Sequence, residues 1–349
     1  MSQLKLKNIT HISNTGDPNI VLGDSGDTQV QSLNSGPLAG FRNQIINGDF
    51  RIWQRGTSFP KDSSPASAHK YSADRWEANG TVADFYKAAA FGGFNWAIVV
   101  SSVTSGVAYI VQHVELDAVA DYCQFVAGST WTLSYWMRDN TSGAPSIDFR
   151  GDANGANQLL WTAVGAVQQI ETTGVWKRYS RTFTAATYAQ GQHDRATVYI
   201  PASSGANTLF TGVQLEPGPV ATPFEHRPFG TELALCQRYY QKLNEVTGVG
   251  PVGLTQAQNT TRMVCFLPTK CTMRAAPSVG LPSTANFQLQ VNDSVFGDID
   301  FAVDQSCPSG VFVLAQPNAG NANRFTVGGS GRLFTLNASA GSFTADAEL

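Results

Sequence analysis

The sequence predicts an all-β protein: an extended N-terminal segment, a jelly-roll β-sandwich and a second, smaller C-terminal β-sandwich. Three observations carry that prediction. Short runs with period-two alternation recur along the chain, separated by clusters of Gly, Ser and Asn. Helical periodicity is confined to short stretches. Charged residues are only 14% of the 349 residues, against about a quarter in ordinary soluble domains, so the surface is polar and largely uncharged. A chain of this length holds two or three domains, and the patterning divides it into residues 1–40, 41–231 and 232–349.

Taken in order, residues 1–40 show brief alternation at Leu4, Leu6 and Ile9, then two turn clusters, TGDPN and GDSGD, around a short strand Ile20 to Leu22. This is too little apolar material for an independent core. Two readings stay open: a flexible tail, or an extended β segment that gains order by adding strands to a neighbour's sheet edge. The central region reads as strands. In WTLSYWMRD (131–139), Trp131, Leu133, Tyr135 and Met137 fall on one face, and Thr132, Ser134, Trp136 and Arg138 on the other. The first set is the better core. Further strands are expected at 146–150, 176–185, 195–202 and 208–216, and a helical turn or two in VELDAVADYCQFVAG ending at Gly128. TELALCQRYYQKL suits a short helix or a strand equally. Seven short strands follow, at 261–268, 272–281, 286–291, 297–303, 310–315, 323–328 and 332–340, which is the content of a second sandwich.

Two stretches bracket the central region, RNQIINGDFRIWQRGTSF (42–59) and GVQLEPGPVATPFEHRP (212–228). Their key pieces are Asn47 to Phe50, Trp53, Arg55, Tyr71 to Trp76, Gln214 to Gly218, Ala221 to Glu225 and Cys236 to Lys242. In wording, order and spacing they resemble tailed-phage fibre and virion-appendage proteins with a carbohydrate-binding-module-like jelly roll. The resemblance implies a non-enzymatic virion structural protein, tail fibre first, that acts in host attachment. A passive neck or head decoration and a polysaccharide-depolymerising tailspike are the alternatives. It further implies a homotrimer, made in the host bacterial cytoplasm and anchored to other virion proteins through its N-terminal segment.

Composition excludes several other classes. A net charge of −3, a pI near 5.9 and the lack of a basic stripe argue against nucleic-acid binding. Cys123, Cys236, Cys265, Cys271 and Cys307 are odd in number and irregular in spacing, so neither a disulfide framework nor a zinc site is expected. Reduced thiols packed as small apolar side chains fit folding in a reducing compartment. MSQLKLKNIT lacks the apolar run of a signal peptide, and no segment approaches the ~20 apolar residues of a membrane helix. No cofactor is implied. The nucleophile elbow, H-E-x-x-H and P-loop are all missing. Of Asp49, Asp74, Asp84, Asp148, Asp152, Asp298 and Asp300, three border Gly, where Asp commonly forms turns, and none sits in a run that fixes a partner across a groove. No catalytic residue is therefore assigned.

Glycan binding is the remaining chemistry. If Leu133 and Tyr135 face the core, Trp136 and Arg138 emerge on the opposite face, and Arg178 and Tyr199 do so on their own strands. An aromatic ring beside guanidinium groups among Thr and Ser makes a shallow sugar platform. The same face could instead pack in a trimer or stay plain surface. Asp74 and Arg75 are expected to fix a bend beside a core Trp76, the alternative being a grip on a sugar ring. Trp53 and Arg55 are read the same way. Modules of the resembling type often hold a calcium near an "NG.FE" opening. Asn47, Gly48 and Phe50 match it, but Arg51 replaces the Glu, and no metal is assigned.

Overall fold

A computed structural model describes residues 41–61, 69–79, 83–101, 108–115, 128–138, 148–153, 156–158, 161–185, 195–202, 207–244, 249–283, 287–292, 294–297, 299–317, 325–336 and 341–348, with three short strands inside 1–40. The described residues are nearly all β, in antiparallel sheets, with one helix. The chain divides into two compact units, Met1–Pro228 and Phe229–Leu349.

In the first unit, the short strands Asn8–Ile9, Ile20–Leu22 and Thr28–Val30 form a three-stranded sheet. Two larger sheets follow. The seven-stranded sheet runs Trp161–Thr173, Trp176–Ala185, Thr130–Arg138, Thr208–Pro217, Trp96–Ser101, Asp84–Ala89, Ser58–Phe59. The six-stranded sheet runs Ala156–Gln158, Asp148–Ala153, Arg195–Ala202, Ala108–Glu115, Glu77–Asn79, His69–Tyr71. One apolar core lies between them, fed by alternate residues of both. Trp131, Leu133, Tyr135 and Met137 come from one sheet, and Ala196, Val198, Ile200 and Ala202 from the other. The alternation of 131–139 thus points its larger apolar set inward, as the pattern requires. Burying a side chain such as Leu133 fully is worth about 1.5–3 kcal/mol, which fixes the register, because a one-residue slip would expose the whole set.

The second unit opens with the helix Phe229–Gln237 and continues into the strand Tyr240–Lys242. TELALCQRYYQKL therefore contributes to both a helix and a strand, and the helix starts before Thr231. A seven-stranded sheet runs Ser294–Phe296, Phe287–Val291, Ser330–Thr335, Gly250–Ala257, Met263–Pro268, Gly310–Pro317, Ile299–Cys307. It curls until its ends face across the core, with the Phe287 and Phe301 rings 5.1 Å apart and edge-on. A three-stranded sheet of Tyr240–Lys242, Thr344–Asp346 and Ser278–Gly280 lies beside it, with Phe343 and Val279 packed into the same core as Phe287.

Several sequence expectations need correction here. Gly250–Ala257 is a strand that its Gly and Pro content disguised. Within 323–328 the described part is a plug and a turn: Phe325 is buried, and Gly329 N–H donates to the Thr326 carbonyl at 2.8 Å. Within 272–281 only Ser278–Gly280 is a strand, following Pro277. The expected helical turns before Gly128 fall outside the described residues. Cys236, Cys265, Cys271 and Cys307 are free thiols, and burial pushes the Cys265 thiol up to about 12.

Candidate functional site

The two bracketing stretches are one structure, and they decide what the outer face of the first unit's seven-stranded sheet can do. Asn43 accepts from the backbone N–H groups of Ile45 and Leu215 at 2.9 and 3.0 Å, and its amide donates to the Val213 carbonyl at 3.2 Å. Gln44 N–H donates to Leu215 O at 2.8 Å, and Val213 N–H to Gly48 O at 2.9 Å. A Cβ on Gly48 would stand 2.1 Å from the Val213 carbonyl oxygen, so only glycine lets this turn approach the strand Thr208–Pro217. Glu225 closes the clasp, accepting from Asn43 N–H at 2.8 Å and from Phe41 N–H. Arg227 donates to the carbonyls of Ile45 and Asn43.

Asn47 is the hinge of the opening motif. It is fully buried, with φ of 57°, a conformation Asn tolerates better than most residues. Its amide donates to the carbonyls of Ile52 at 2.9 Å and Asp74 at 3.0 Å, and its oxygen accepts from Ile52 N–H at 3.0 Å. Trp76 lies fully buried against Phe50, ring centroids 4.9 Å apart, and its indole N–H donates to the Asn47 carbonyl. Asp74 accepts two bonds from Gln54, and Arg75, at φ of 69°, donates to the His113 carbonyl. Trp76 is thus core, and the acidic and basic pair fixes a bend. Trp53 is half-buried near Phe59, with its indole N–H donating to the Phe50 carbonyl, and Arg55 lies over the Tyr71 ring.

Trp136, Arg138 and Arg178 do share the outer face of this sheet, with Trp136 directly opposite Arg178 in the ladder. Tyr199 does not join them. It lies on the six-stranded sheet, where it is half-buried and 6.1 Å from the Tyr109 ring. Neither Trp136 nor Arg178 is an open platform, which corrects the exposure the alternation implied. Trp136 is 8% exposed, covered by Phe91 at 4.9 Å and packed with Phe94 and Trp176 in a second apolar cluster. Arg178 is 6% exposed. It donates to Ser134 Oγ at 3.1 Å and to the Thr222 carbonyl, and pairs with Glu171 at 3.5 Å. Burial lowers the Arg178 pKa, opposed by Glu171 and Glu216. Arg138 alone is exposed, 5.8 Å over the Trp176 ring.

The cover is the chain itself. Strand Thr208–Pro217 turns at Gly218 and runs back across its own outer face. There Glu216 accepts from Thr222 N–H at 2.8 Å, Thr222 Oγ1 at 2.6 Å and Gln214 Nε2 at 2.8 Å. Gln214 in turn accepts from Glu225 N–H at 2.8 Å. QLEPG and ATPFE are therefore the two halves of a buried hydrogen-bond network, and their carboxylates are occupied structurally. In the opening motif, the Arg51 guanidinium holds Asp49 at 3.1 Å and donates to the Arg227 carbonyl at 2.6 Å. Among the described residues no cluster of three or more His, Cys, Asp or Glu is placed to hold a metal. Asp84 accepts from Lys61 N–H, and Asp300 is exposed.

Two features escaped the sequence reading. His113 bridges Thr197 Oγ1 at 2.9 Å and Glu77 Oε2 at 3.0 Å across three strands, with all three residues buried. The alternation of AYIVQHVE carried that signal, since it puts His113 on the face away from the core. Trp96 is 38% exposed, with Lys87 Nζ 4.0 Å from its ring centroid and the Lys87 pKa lowered by burial.

No family model matches the chain, and no curated protein matches it. Among solved structures, it is similar to a proposed sugar-binding protein from Bacteroides thetaiotaomicron, at 12% identity and a TM-score of 0.31, covering 50% of this chain and 100% of that one. It is also similar to the enzymatically active domain of tailspike protein 4 from bacteriophage CBA120, at 15% identity and 0.31, covering 52% of this chain and 22% of that one. A cyclase from Fischerella sp. TAU stands at 16% identity and 0.30, covering 47% and 98%. Similarity at this level carries no functional assignment.

Proposed function

We propose that this chain is a non-enzymatic structural subunit of a phage-type virion appendage, a tail fibre in the first place. It works as a homotrimer that meets host-surface glycan through its β units. Residues 1–40 join it to other virion proteins, and it folds in the host bacterial cytoplasm before assembly. The observation that carries the reading is the clasp. The residues on which the resemblance to virion appendage proteins rests, Asn47, Trp76, Gln214, Glu216 and Glu225, are buried and engaged in holding strands together. Residues so used serve architecture and display. Weak sites repeated on one trimer would gain avidity from their common tether.

The burial of Trp136 and Arg178 favours a second reading, a passive neck or head decoration, because it removes two members of the expected sugar platform. Trp96 beside Lys87 then becomes the exposed aromatic to test. On an array of host polysaccharides the intact chain is expected to bind without releasing reducing ends. Trp96→Ala should weaken binding by about 1 kcal/mol. Binding by neither protein would leave the passive reading, and released reducing ends would make the chain a depolymerase.

A further inference from the structure

The second unit carries an apolar surface that nothing in the clasp explains. On the outer face of its seven-stranded sheet, Leu254 is 82% exposed, Phe266 44% and Phe312 36%. Phe266 and Phe312 are cross-strand partners with rings 4.9 Å apart. Thr255 opposes Cys265, which brings Leu254 to the other side of Phe266. Val264 and Leu314, paired and half-buried, and the exposed Ala302 opposite Leu314 extend the patch across four adjacent strands. Exposed Gln256, Gln316 and Ser330 border it. Aromatic and aliphatic centres with a polar rim have the anatomy of a protein interface, and large contiguous apolar patches are rare without a partner.

Charge placement says which partner. Along the row through Leu254, Phe266 and Phe312, one end is exposed Arg332, opposite Leu254. The other end is Gln305, opposite Phe312, with exposed Asp304 as the extra residue of a bulge. A rotation axis parallel to the strands, twofold or threefold, brings the Arg332 flank of one copy to the Asp304 flank of the next and turns the Phe266 rows inward. We infer that this face joins copies of the same chain. The inference deepens the assembly part of the proposed function and rests on it.

Sedimentation of the full chain at micromolar concentration tests it. The protein is expected to run as a multiple of 37.4 kDa, threefold for the trimer. Leu254→Asp/Phe266→Asp should raise the dissociation constant about 100-fold or more, while the dissociated chain keeps its fold and unfolds cooperatively, since both side chains are exposed in the single chain. Arg332→Glu should weaken association about 10-fold, most at low salt. Adding Asp304→Arg to it should restore the association. A monomeric parent overturns both the inference and the assembly reading. An oligomer untouched by the Leu254/Phe266 variant overturns the inference alone, and so does a double charge reversal no tighter than the single one.

Discussion

Asn47→Asp is expected to destabilise the first unit by about 3 kcal/mol or more, although it changes a single terminal group and no volume. The amide of Asn47 donates to two carbonyls, Ile52 O and Asp74 O, at a fully buried site. A carboxylate there has no proton to give, so two acceptors lose their donor and face a buried negative charge. The environment also makes the effect pH-dependent with a definite sign. Burial and the two facing carbonyls disfavour the charged form of the introduced carboxyl, so its folded pKa lies above the unfolded value of about 3.9. The folded state then binds more protons, and the lost stability returns as pH falls through the folded pKa. Urea unfolding followed by tryptophan fluorescence at neutral and acid pH measures both parts. An unchanged midpoint at neutral pH would mean that Asn47 does not hold the clasp.

Trp136→Ala has a comparable expected effect, about 3–5 kcal/mol, for a different reason. It empties the centre of the outer aromatic cluster, where Phe91, Phe94 and Trp176 converge. Beneath the ring, Gly212 sits at φ of 61°, and a Cβ there would be 3.0 Å from Trp136 Cδ1, so backbone and ring are fitted to each other. The melting temperature should drop sharply. A variant that melts like the parent and binds glycan less well would return Trp136 to the role of an open stacking surface.

The all-β class, the core face of 131–139 and the strands 176–185 and 195–202 were legible because period two is local: each strand states its own buried side. The bracketing motifs were legible as closing elements. That they close on each other was not, since Asn43 and Leu215 are joined only by folding. The platform failed for a related reason. Alternation tells which face of its own sheet a residue occupies, and it placed Trp136 and Arg178 correctly. It cannot say that residues 90–94 and 218–227 fold over that face, or that Tyr199 belongs to the other sheet. Gly and Pro misled at 250–257, where a strand reads like a turn.

Incorporation into particles is the most direct test of the proposed role. Phage particles assembled with the full chain and with a chain lacking residues 1–40 would be purified, and the protein they carry detected with an antibody to the C-terminal unit. The role as an appendage subunit predicts the full chain on the particle, labelled at the tail in micrographs. It predicts loss of the truncated chain, which keeps every described residue of the sandwich core. Particles without the full chain would contradict the role, and particles that retain the truncated chain would place the anchor elsewhere.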